Sequence, residues 1–130
     1  MSQENVEIVR ANYERWNAGK GLDPQLLTPD VEFRQPEIGG DADYHGREGV
    51  ARGIEELTGV FDELRAEPEN FFVAGPYVVV FVRLSGVAKG SGVAVEMPLA
   101  HLFRFRGKQV DRWHAYTHRN EALKAAGLEG

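Results

Sequence analysis

Three long runs in the second half decide what this chain can fold into. "YVVVFVRLSGVA" (77–88), "VAVEMPLAHLFRFR" (93–106) and "QVDRWHAYTH" (109–118) are rich in β-branched and aromatic residues, and only "KGSG" and the "GK" of "RGK" lie between them. Connections this short join antiparallel neighbours, because a parallel pair needs a crossover of a dozen or more residues. A meander is therefore predicted. It extends upstream through "RAEPENFFVA", where Pro68 restricts the early part and Gly75-Pro76 turns the chain.

Helices precede the meander. Ser2 as N-cap, Glu4 in the first turn, an apolar stripe of Val6, Val9, Tyr13 and Trp16, and Gly19 as a stop predict the first one. Asp23-Pro24 reads as an N-cap and first helical position, so "DPQLL" predicts a single turn before a strand at Val31 to Gln35. "EIGGDADYHG" reads as a loop or weak hairpin. Val50, Ile54, Leu57, Phe61 and Leu64 then recur at steps of four and three, predicting the longest amphipathic helix of the chain. A short helix near "NEALKAAG" closes the sequence. Helices first and a meander after define an α+β class, and 130 residues with 42% hydrophobic content are read as one domain over 1–130. A sheet of this length can curl around the long helix and leave a pocket at its open end.

Side chains alternate along a strand, so Met97, Leu99, His101 and Phe103 share one face, and Glu96, Pro98, Ala100, Leu102 and Arg104 the other. By polarity, Trp113, Ala115 and Thr117 face inward and Arg112, His114, Tyr116 and His118 outward. Val80, Val82 and Leu84 form a further inward row. One histidine thus sits in an apolar row. The outer face carries Arg83, Ser85, Glu96, Arg104, Arg112, His114 and Tyr116, which suits either a solvated face or a dimer interface.

Several chemistries lack support. Fifteen basic and 20 acidic residues leave a net charge of −5 with no basic stripe, which argues against nucleic acid. No apolar run approaches the roughly 20 residues that span a bilayer, and "MSQENVEIVR" lacks the features of a signal peptide, so a cytoplasmic protein without a membrane partner is expected. There are no cysteines, hence no thiolate chemistry. His114 and His118 are ~13 Å apart along a strand at ~3.3 Å per residue, too far to share a zinc ion, so no metal is expected. "GKG" at 19–21 ends a helix rather than opening one, so no phosphate loop is present, and no cofactor is called for.

An opening helix ending in "WNAGK", then "LLTPDVEF", "HGREGV" leading into a helix, and a final "VDRWHAYTH" together resemble the NTF2-like superfamily, and within it the SnoaL-like and ketosteroid-isomerase-like proteins. The resemblance covers nearly the whole chain. It implies a conical α+β barrel, a curved antiparallel sheet wrapped around a long helix with a deep apolar pocket, usually in a homodimer. It does not imply one activity, because this scaffold hosts isomerases, cyclases, hydrolases and non-catalytic binders. In the isomerase branch the resemblance places the donor tyrosine at Asn12, the base carboxylate at Gln35 and the second oxyanion donor at His101. An amide is no general base near neutral pH, so ordinary steroid isomerisation is set aside. The epoxide-hydrolase branch places a carboxylate where this chain has Ala115.

His101 is the candidate catalytic residue, as a general acid/base in an apolar pocket; the alternative is a buried histidine bonded to Gln35 or a backbone carbonyl. Asn12, Trp16, Gln35, Met97, Leu99, Phe103, Trp113 and Thr117 are the candidate ligand-binding residues, with Tyr13 read among the core aromatics and Tyr44 at the pocket mouth. His45, Arg47 and Glu48 read as scaffold, His45 bracing the start of the long helix. The expected partner is a small apolar, polyketide- or steroid-like ligand, and a second copy of the chain through the outer sheet face. The expected function is a pocket protein, with or without isomerase, cyclase or hydrolase chemistry; the alternative is a non-catalytic ligand-binding or dimerisation module.

Overall fold

The strand-rich half folds as its alternation requires. A computed structural model describes residues 2–37 and 40–128. Helix α1 (Ser2–Asn17) is followed by a 3₁₀ turn (Pro24–Leu26), strand β1 (Leu27–Glu37), strand β2 (Gly40–His45) and helix α2 (Gly46–Thr58). Strands β3 (Phe61–Ala74), β4 (Tyr77–Ala88), β5 (Ala94–Arg106) and β6 (Gln109–Tyr116) then form the meander, and helix α3 (Arg119–Ala125) ends it. Asp23 caps the 3₁₀ turn as predicted, its carboxylate accepting from Gln25 N. The segment read as loop or weak hairpin pairs as one, β1 against β2.

The six strands form one sheet in the order β2-β1-β6-β5-β4-β3. Two expectations change here. The sheet is mixed, because β1 and β6 run parallel: the chain between them crosses α2 and the whole meander before returning, long enough for a parallel connection. It is also open, with β2 and β3 as edges, so it curves without closing into a barrel. Register shifts in β1/β6, β3/β4 and β5/β6 mark bulges, which bend and twist strands.

Helices α1 and α2 cover the inner face. Val78, Val80, Val82 and Leu84 of β4 pack with Leu99 and Phe103 of β5 against Val6, Val9 and Tyr13 of α1 and Val50 of α2. Side chains buried this fully stabilise the fold by about 1.5–3 kcal/mol each. The outer face is partly covered by the chain itself, since Ala122 of α3 and Ala126 just past its end pack on Val79, Ala100 and Leu102. Arg119 secures that helix by donating to the carbonyls of Leu99 and Val82.

The long helix is shorter than its spacing suggests. It stops at Thr58, where Gly59 N closes on Glu55 O, and α1, at 16 residues against 13, is the longer. Phe61 and Leu64 keep the helical spacing by coincidence and belong to β3. A bulge between Asp62 and Arg65, with Glu63 at φ 53°, turns Leu64 to the inner face.

Two pairs of tertiary hydrogen bonds hold the ends of this layer. Asn17 of the "WNAGK" run donates to Ala66 O at 2.8 Å and accepts from Ala66 N at 2.9 Å, acting as a one-residue strand partner for the edge strand β3. Arg47 of "HGREGV" donates twice to Leu27 O, tying α2 to the start of β1.

Candidate functional site

A cavity of about 150 Å³ lies between the inner face and the two covering helices. The alternation of β5 sends Met97, Leu99, His101 and Phe103 into it, and β6 contributes Trp113 and Ala115. Asn12 and Trp16 reach it from α1 and Gln35 from β1. Thr117, just past β6, lies on its wall and is exposed, so it marks the rim. All nine residues singled out from the sequence therefore border one space. Among the described residues lining it there is no Asp, Glu, Lys or Arg.

His101 is 8% exposed, and its polar partner differs from the one expected. Neither Gln35 nor Asn12 satisfies the ring. Tyr13 does, its hydroxyl lying 2.6 Å from Nδ1 with the two ring planes within 4° of parallel. Tyr13 and Asn12 are neighbours on α1, and the helix presents both to the cavity. Half of the signal was present in the sequence: a tyrosine in an apolar stripe brings a hydroxyl that must find a buried partner, and His101 is one of the inward polar groups, with Asn12 and Gln35, able to provide it. Phe103 and Trp113 meet the imidazole edge to face at 5.9 and 5.6 Å, fixing its plane.

Protonation follows from this packing. Burial pushes His101 down from 6.5 to about 4, so the ring is neutral near pH 7. Burial also raises the Tyr13 hydroxyl well above its ordinary value, so it keeps its proton. Among the described residues Tyr13 has no acceptor other than Nδ1, so its proton goes there and the imidazole proton sits on Nε2. Among the described residues Nε2 makes no protein bond, yet it is absent from the sealed polar atoms, which include Trp113 Nε1. It is left as a donor toward the cavity.

The amides are oriented by their other bonds. Asn12 Oδ1 accepts from Asp23 N at 3.2 Å, and Gln35 Nε2 donates to Gly53 O at 3.3 Å. Trp16 donates to Leu64 O at 2.9 Å, holding the wall where α1 meets the β3 bulge. In register, Ala115 pairs with His101, and Gln35 lies one residue beyond the Arg34/His114 pair, so Gln35, Ala115 and His101 form a row across β1, β6 and β5.

Two flanking expectations are corrected. Tyr44 is buried in the core against Phe33, with its hydroxyl on Glu56, and does not line the cavity. His45 occupies the N-cap position of α2 without a side-chain cap bond; Arg47 does the bracing. Among the described residues no group of three His, Asp or Glu side chains could hold a metal ion, and no helix is long and apolar enough to cross a membrane.

Comparison with known proteins places this geometry. The SnoaL-like domain profile matches residues 9–113. An NTF2-like protein of unknown function from Burkholderia pseudomallei is similar in structure at 22% identity and a TM-score of 0.77, over 95% of this chain and 97% of that one. A protein of ketosteroid-isomerase-like fold from Catenulispora acidiphila, solved in complex with trimethylamine, matches at 24% identity and 0.73, over 94% and 93%. A protein from Jannaschia sp. assigned as a SnoaL-like polyketide cyclase matches at 26% and 0.74, over 89% and 86%. No curated protein matches the sequence significantly. With a profile match across most of its length, on the fold those neighbours share, the chain belongs to the SnoaL-like domain family.

Proposed function

We propose that this chain is a small-molecule pocket protein that takes an uncharged, mostly apolar molecule bearing a carbonyl oxygen, and that His101 acts on that oxygen as a neutral hydrogen-bond donor. The observation that carries the reading is the Tyr13–His101 contact, which spends Nδ1 on the protein and leaves Nε2 for a ligand. An imidazole titrating near 4 is a weak base at neutral pH, but its N–H polarises a carbonyl without carrying a charge into an apolar site. Such a donor stabilises the oxyanion that forms when a proton leaves the carbon beside the carbonyl, the step shared by isomerisations and aldol-type cyclisations. The jobs divide accordingly: Tyr13 positions, His101 polarises, and the apolar walls exclude water.

A specific observation favours a second reading, in which the domain binds without turnover. No carboxylate faces the cavity among the described residues, so the protein offers no strong base to take the proton.

One experiment separates them. The two-ring ketone α-tetralone is titrated while following the fluorescence of Trp16 and Trp113, and exchange of its α-hydrogens in deuterated water is followed by proton NMR. Binding with accelerated exchange, lost in a folded His101→Ala variant, supports the catalytic reading. Binding without acceleration supports the non-catalytic one. Absence of binding overturns both.

A further inference from the structure

The protein bonds already made inside the cavity determine what a ligand must bring. Asn12 spends its oxygen on Asp23 N, which leaves its Nδ2 donor unpaired. Gln35 spends its nitrogen on Gly53 O, an acceptor that only a donor can meet, which leaves Oε1 unpaired. His101 spends Nδ1 on Tyr13, which leaves Nε2. Apart from the Thr117 hydroxyl at the exposed rim and the sealed Trp113 Nε1, the lining side-chain atoms that make no bond among the described residues are thus two donor nitrogens, Asn12 Nδ2 and His101 Nε2, and one acceptor oxygen, Gln35 Oε1. None of the three is among the buried atoms sealed without a partner. Gln35 and His101 stand on strands two apart, roughly 10 Å between backbones at ~4.8 Å per strand, with the methyl of Ala115 between them leaving the space open.

Resting on the carbonyl-ligand reading above, we propose that the ligand carries a hydroxyl as well, on the opposite side of a one- or two-ring skeleton from its carbonyl, and that Gln35 Oε1 accepts the hydroxyl proton while His101 and Asn12 hold the carbonyl. A ligand with a carbonyl alone leaves the Gln35 oxygen buried and unmatched, a loss that discriminates strongly in sites built to pair with a polar group. Size points the same way. A dry apolar cavity of about 150 Å³ accommodates benzene, so at about 150 Å³ this one holds one ring, or two with slight opening of the Thr117 rim, and not a four-ring steroid. Charge narrows the class further: with no cation facing the cavity among the described residues, the hydroxyl belongs to an alcohol or phenol rather than a carboxylic acid.

The test compares dissociation constants, by calorimetry on the intact chain, for α-tetralone, both enantiomers of 4-hydroxy-α-tetralone, and the four-ring ketone progesterone. The expected result is that one hydroxy enantiomer binds about tenfold tighter than α-tetralone, the gain from one matched buried hydrogen bond. Progesterone should bind at least about tenfold more weakly than α-tetralone. In Gln35→Met, which keeps length and removes the acceptor, the advantage of the hydroxy enantiomer over α-tetralone, both measured on that variant, should vanish. Equal binding of α-tetralone and both hydroxy enantiomers by the unmodified chain overturns the inference while leaving the carbonyl-pocket reading standing. A hydroxyl advantage that survives in Gln35→Met overturns the role of Gln35. Progesterone binding as tight as α-tetralone overturns the size limit. If none of the four ketones binds, the carbonyl-pocket reading falls and this inference falls with it.

Discussion

Tyr13 and His101 are 88 residues apart in the chain and 2.6 Å apart in the fold, and that contact sets both the tautomer and the tilt of the imidazole. Removing the hydroxyl in Tyr13→Phe leaves Nδ1 buried among apolar rings without a donor, a defect that costs about 1–3 kcal/mol. The lowered denaturant midpoint measures that cost. Nitrogen-15 NMR of the ring measures the rest: the intact chain should show a single Nε2–H tautomer near pH 7, and the variant a mixture of both. A single unchanged tautomer in the variant would mean that Tyr13 does not set it.

Acid should destabilise the protein in a defined window. His101 titrates near 6.5 when unfolded and near 4 when folded, so as pH falls the unfolded chain takes the proton first. The stability owed to the neutral ring is therefore complete above pH 6.5 and drains away between 6.5 and 4. At ~1.4 kcal/mol per unit the full loss is about 3 kcal/mol. Among the described residues no charged side chain lines the cavity, so no ion pair offsets the effect. His114 shares the window, lowered to about 4 by burial and then by Arg34 and Arg112, so His101→Gln should flatten the slope without abolishing it. The carboxylate Asp30, held at about 2 chiefly by its hydrogen bonds from Arg106, loses its contribution only below 3.8 and does not blur the result. Urea midpoints at pH 7 and 4.5 check this, and equal values for the intact chain would refute it.

Gly53 holds Gln35 by having no side chain. A Cβ there would lie 2.8 Å from Phe33 Cε2 and 3.3 Å from Tyr44 Cδ1, both parts of buried rings with little room to yield. Gly53→Ala should cost about 1–3 kcal/mol from overpacking and shift the carbonyl that orients the Gln35 amide. Thermal unfolding reports the first effect. A melting temperature at or above that of the intact chain would show that α2 can move away from β1 freely.

The order of elements and the inward row of β5 were legible because alternation is a local signal, and Met97, Leu99, His101 and Phe103 reach the cavity together for that reason. The end of α2 was not, since Phe61 and Leu64 continue a helical spacing that Gly59 and the bulge at Glu63 interrupt, and a bulge leaves no periodic trace. The parallel pairing of β1 with β6 was equally hidden, because register between distant strands is a long-range property. The partner of His101 lay between these cases. The helical stripe placed Tyr13 inward, but choosing Tyr13 over Gln35 or Asn12 required knowing that Asp23 and Gly53 had already taken the two amides.

Ala115 offers the cleanest separation of fold from function. Its methyl sits in register between Gln35 and His101, on the cavity wall, and touches neither of the bonds that orient them. Ala115→Leu adds apolar volume where the ligand ring is expected to lie, in a space lined by other apolar side chains. Filling a cavity stabilises as often as it strains, so the melting temperature should hold or rise by a few degrees. Affinity for α-tetralone should fall by at least about tenfold, because the added isobutyl group and the ring compete for one space. Calorimetric titration beside a thermal melt gives both numbers from one preparation. If the ketone still binds with its original affinity to the folded variant, the ligand does not lie between Gln35 and His101.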